Sequence, residues 1–76
     1  MNGTIRLKLW EEARGTLQDK HEDYPCITLD FGKFRVVLGS DEANAIKDQL
    51  ADELIGKRIS VLRTDLFDKP ALMREG

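Results

Sequence analysis

The chain has a single cysteine, Cys26, in 76 residues, so no disulfide can form within it. The dense bridging that holds small secreted domains together is thereby excluded. There is one histidine, His21, one tryptophan, one tyrosine and only two prolines. No window approaches the run of about 18 apolar residues that spans a bilayer. The opening MNGTIRLKLW has no apolar stretch of the signal-sequence kind. The cytoplasm is the expected compartment, and a membrane is not an expected partner. Internal repeats and low-complexity tracts are also lacking.

What is present suits a folded globular chain: 41% hydrophobic and 34% charged residues. Residues 1–76 are read as one domain. A core this small gives a stability of about 5 kcal/mol, which makes association with a second copy a natural way to gain more. The net charge of −2 and the pI of about 5.3 give no general attraction to polyanions.

The most informative stretch is Cys26 to Gly39, CITLDFGKFRVVLG. Ile27, Leu29 and Phe31 alternate with polar residues, and Phe34, Val36 and Leu38 alternate after Gly32-Lys33. A two-residue loop at 32–33 is a type II′ turn, whose first central position needs positive φ. That loop sets Phe31 opposite Phe34, Leu29 opposite Val36 and Ile27 opposite Leu38, all on one face. Slipping by one residue would mix the faces, so the pattern specifies the register.

Ile5, Leu7 and Leu9 alternate with Arg6, Lys8 and Trp10, predicting a strand over 5–10. Glu11 to Tyr24 is polar. It predicts a short strand near Thr16–Gln18, with Gly15 as a bulge, followed by a mobile tip at Asp19–Asp23. Ser40 is the expected N-cap of an amphipathic helix over about 41–55, with Ala43, Ile46, Leu50 and Leu54 on its apolar stripe and Gly56 as its stop. Arg58–Arg63 is a further strand, 64–70 a turn-rich connection, and Pro70–Arg74 a short closing edge strand. The expected core is Ile5, Leu7, Leu9, Ile27, Leu29, Phe31, Phe34, Val36, Leu38, Ile46, Leu50, Leu54, Ile59 and Val61.

These elements predict an α+β fold. It is either a small curved antiparallel sheet or a five-stranded barrel, with one helix between the third and fourth main strands. In element order the barrel resembles the OB-fold. The resemblance is topological and spans most of the chain, but no motif carries it.

Chemistry has few footholds. His21 and Cys26 lie near Asp19, Glu22 and Asp23, but two soft ligands do not make the four-ligand pattern of structural zinc. Nor do the acids fall at the regular positions of a calcium loop. Cys26 reads as a small buried hydrophobe. Asp41/Glu42 suit a helix start, and Asp65 and Asp68 suit turns; none has the apolar wall that raises a pKa for acid catalysis. There is no phosphate-binding glycine loop and no Ser-His-acid arrangement. No enzyme activity, metal or cofactor is expected.

The charge distribution is uneven. Residues 40–55 carry one base against five acids, net −4, and the rest of the chain carries eleven bases against nine acids, net +2. Arg6, Lys8, Trp10, Arg35 and Arg58 therefore form a candidate surface for single-stranded nucleic acid, where cations meet phosphates and a ring stacks on bases. The same residues also suit an ordinary exposed sheet face. The second candidate surface is apolar. Val37 and Leu62 lie on the outward phase of their strands, and Leu66-Phe67 sit in the connecting loop. They point to a protein interface, either with a second copy or with another protein. Alternatively, Leu66 and Phe67 fold back to plug a barrel end.

Overall fold

A computed structural model describes residues 3–76. The chain runs β1 (Gly3–Ile5), β2 (Glu12–Thr16), β3 (Asp19–Asp23), β4 (Cys26–Asp30), β5 (Phe34–Leu38), α1 (Ser40–Ile46), β6 (Arg58–Arg63) and β7 (Ala71–Glu75). One sheet has the order β1-β5-β4-β3 and the other β2-β6-β7. β1 pairs with β5 in parallel, while every other ladder is antiparallel, so the first sheet is mixed rather than purely antiparallel. Among the described residues no ladder joins β1 to β7, and no closed barrel forms.

The hairpin has the expected register, with Leu29 opposite Val36 and Ile27 opposite Leu38. Gly32 has φ 90° and Lys33 is not left-handed, which is the type II′ pattern. The Phe31 N–H donates to the Phe34 carbonyl at 2.9 Å, and the two rings stack with centroids 5.1 Å apart. Phe31 is buried and Phe34 half-buried.

The expected strand over 5–10 is cut short. β1 ends at Ile5, and Lys8–Glu11 is a closed turn. The Lys8 carbonyl accepts from the Glu11 N–H at 2.9 Å, and the Lys8 N–H donates to Glu11 Oε1 at 2.8 Å. Trp10 sits in this turn at φ 65°, a region bulky residues rarely enter. The alternation of apolar residues is therefore lost: Leu7 is buried, but Ile5 and Leu9 are exposed.

The polar stretch after it holds two strands instead of one strand and a mobile tip. Its pivot is Leu17, which is fully buried. The Leu17 N–H donates to the Lys57 carbonyl at 2.9 Å, and the Gln18 N–H donates to the Asp30 carbonyl at 2.7 Å. Thus β2 serves one sheet and β3, after a bend, the other. Gly15 is in regular register opposite Ile59 and is not a bulge. It is glycine because a Cβ there would stand 3.1 Å from Phe31 Cδ1. The inward positions of β3 are Lys20 and Glu22, opposite Leu29 and Ile27. Charge pairing replaces apolar packing here. Lys20 Nζ lies 3.1 Å from Glu22 Oε1 and 3.2 Å from Asp52 Oδ1, and its side chain is only 11% exposed.

The helix is shorter than the apolar spacing predicts. After Ile46 the chain continues as two 3₁₀ turns, Lys47–Gln49 and Asp52–Leu54. Asp48, Asp52 and Glu53 would stand at the negative end of a longer helix, with only Lys47 to offset them. The turns still bury Leu50 and Leu54. Gly39, not Ser40, is the N-cap: its carbonyl accepts from the Ala43 N–H at 2.8 Å, and no side chain caps the first turn. Cys26 is half-buried rather than buried. Ala13, Leu17, Ala43 and Ala71 complete the core.

Candidate functional site

Three surfaces divide the predicted site residues. The first is the β6–β7 loop. Thr64 is buried and pins it: its N–H donates to the Pro70 carbonyl at 2.9 Å, its hydroxyl donates to the Lys69 carbonyl, and its Oγ1 accepts from the Leu66 N–H at 3.1 Å. This braced loop holds Phe67 99% exposed, with Leu66 beside it also exposed. Neither residue plugs the interior. Between the loop and the first turn of α1 lies a cleft of about 480 Å³ that Leu66 and Phe67 help to line. Glu42 and Arg63, which also line it, belong to a charge cluster. Glu42 Oε1 lies 3.3 Å from Arg63 Nε and 3.7 Å from Arg6 Nη2. Arg63 Nη1 also donates to the Leu7 carbonyl at 2.8 Å. The Trp10 N–H donates to the Arg63 carbonyl at 2.6 Å, which brings the Lys8–Glu11 turn to the same end of the molecule. Leu9 and Trp10, both exposed, sit in that turn.

The second surface is the outer face of β1-β5-β4-β3. Thr4 and Arg35 are paired across β1 and β5, and Val37 lies opposite Thr28. Arg35 Nε stands 3.5 Å from Asp30 Oδ2. His21 faces Asp19 at 3.6 Å, and Cys26 is paired across the ladder with Asp23. Acids therefore interleave with the bases on this face. Among the described residues no group of three His, Cys, Asp or Glu side chains is placed to hold a metal ion.

The third surface is the outer face of β2-β6-β7. Register sets Glu12, Leu62 and Leu72 in one row, Arg14, Ser60 and Arg74 in the next, and Thr16 and Arg58 in a third. Neither Arg14 nor Arg74 belongs to the candidate nucleic-acid set of Arg6, Lys8, Trp10, Arg35 and Arg58.

The predicted basic set is thus dispersed. Arg6 reaches toward Glu42, Lys8 and Trp10 occupy the turn, Arg35 faces Asp30, and Arg58 lies on the other sheet. The predicted apolar set also divides. Leu66 and Phe67 are together, Leu62 joins the β2-β6-β7 face, and Val37 is on the opposite sheet. Arg14 lies in a stretch with no apolar period, and its pairing with Ser60, more than forty residues later, sets it in the same row as Arg74, which flanks Ser60 on the other side. Compared with protein-family models, curated proteins and solved structures, the chain shows no match. No helix is long and apolar enough to cross a membrane among the described residues.

Proposed function

We propose that the chain is a non-catalytic protein-interaction or assembly module whose contact surface centres on Leu66 and Phe67. The observation that carries this is Phe67, 99% exposed on a loop braced by buried Thr64. A bare aromatic ring gains free energy only when something covers it, and an ordered loop loses little entropy on being covered. Leu66, Leu9 and Trp10 extend the apolar surface at that end of the molecule.

The architecture is OB-like, opened between β1 and β7. Its support is the element order: β2 and β3 as one bent strand, then β4, β5, the helix, β6 and β7. The free Cys26 suits a reducing compartment such as the cytoplasm. Single-stranded nucleic-acid binding through Arg6, Lys8, Trp10, Arg35 and Arg58 has weaker support, since Arg6 and Arg35 each face a carboxylate.

Photocrosslinking tests the proposal. Benzoylphenylalanine replaces Phe67 in the source cells, with Lys33 at the hairpin tip as the control site. Sedimentation of the purified chain identifies self-association. A protein adduct or dimer specific to position 67 is expected. Equal labelling from both positions, or none, would remove the basis for an interface there.

A further inference from the structure

The outer face of β2-β6-β7 differs in chemistry from the rest of the molecule. Its register positions are Glu12, Arg14, Thr16, Arg58, Ser60, Leu62, Leu72 and Arg74. The only carboxylate among them, Glu12, is engaged by Arg14, with Nε and Oε1 at 2.6 Å. Arg58 and Arg74 are exposed and form no ion pair among the described residues. A chain of net charge −2 therefore presents a local excess of arginine on this face. Beside the arginines runs a shallow groove of about 280 Å³, lined by Glu12, Ser60, Leu62, Leu72, Met73 and Arg74.

We infer that this face docks an acidic, apolar-bearing extended segment of a partner protein. The guanidinium fork is matched to carboxylates, which it binds through paired hydrogen bonds. The leucines require apolar side chains from the same partner. Rows on the face are two residues apart along each strand, about 6.8 Å. An extended segment with acidic and apolar side chains at i and i+2 places one over the arginine row and the other over Leu62 and Leu72. Nucleic acid fits less well, because no aromatic occupies these register positions and bases would have nothing to stack on. The surface extends the protein-interaction reading but does not depend on Phe67, which lies on the β6–β7 loop.

The probe is a fluorescein-labelled Glu-Ser-Leu-Ser repeat peptide, compared with its Lys-Ser-Leu-Ser counterpart and with oligo(dT). Binding is followed by anisotropy and by amide shifts in labelled protein. The acidic peptide should bind, with shifts confined to 12–16, 58–62 and 72–74. R58E/R74E should weaken it by about tenfold or more, and L72S should weaken it as well. F67S should leave this binding intact, which separates its outcome from that of the Phe67 interface. Lack of any shift at about 1 mM peptide overturns the inference, that concentration being the weak end of specific binding. Tighter binding of oligo(dT), or an acidic-peptide affinity that L72S leaves unchanged, overturns it too.

Discussion

Replacing Glu42 by Gln keeps the shape of the side chain and removes its charge from between two arginines. Glu42 is buried on the first turn of α1, and its Oε1 is 3.3 Å from Arg63 and 3.7 Å from Arg6. Removing one member of a buried ion pair costs about 3–5 kcal/mol, because the remaining charge is left unpaired. The full figure does not apply here: the Arg63 side chain is 34% exposed and that of Arg6 62%, so water recovers part of the loss. A cost of about 2 kcal/mol is expected, including the lost attraction of a carboxylate to the helix N-terminus. For a domain of this size that is about 8–16 °C in Tm. Urea unfolding followed by circular dichroism measures it. Asp41→Asn on the same turn is the control: Asp41 is exposed and should cost under about 0.5 kcal/mol. A cycle with Arg63→Met should return a coupling of about 1 kcal/mol or more. If Glu42 and Asp41 cost the same, the cluster contributes nothing beyond a surface charge and the reasoning fails.

Other substitutions test other parts of the fold. Trp10 occupies φ 65°, so Trp10→Gly should be more stable than Trp10→Ala by about 1 kcal/mol, the reverse of the usual order, as read from denaturation midpoints. Equal midpoints would mean the turn does not hold that conformation. The hydrogen bond from Lys20 to Glu22 holds its pKa above the ordinary 10.5, against the opposing effect of burial, and Asp52 adds to the rise. A raised lysine pKa stabilises fully below the unfolded value and loses its contribution as pH climbs past the folded one. The stability difference between wild type and Lys20→Met should therefore hold steady up to pH 10.5 and shrink above it; a difference insensitive to alkali would contradict the pairing. Val36 is fully buried opposite Leu29, so Val36→Asp should leave no folded population by circular dichroism.

The hairpin was legible because its information is local. Two residues of turn and six alternating apolar positions determine each other, and Ile27 and Leu38 lie where that pattern puts them. The apolar spacing over-predicts the helix because spacing of three and four residues also serves successive 3₁₀ turns, which keep Leu50 and Leu54 buried. β3 was hidden because its inward side chains are Lys20 and Glu22, which satisfy one another instead of being apolar. Trp10 has the right phase for a strand, but the extension ends at Ile5, and the turn that follows is closed by the backbone bond from Glu11 to Lys8 and by the Glu11 side chain bonding back to Lys8. The arginine face was out of reach of pattern alone. Arg14 is brought beside Ser60, and Arg74 to the far side of Ser60, by pairings distant in sequence, and hydrophobic period says nothing of which strands become neighbours.

The bend at Leu17 has a mechanical consequence. Since a single run of backbone is stitched on one side to Lys57 and on the other to Asp30, tearing away either sheet must pull on the other. The amides of Leu17 and Gln18 should accordingly exchange with deuterium only when the entire molecule opens, and the arginine face of β2-β6-β7 and the hairpin of the other sheet rise and fall in population together.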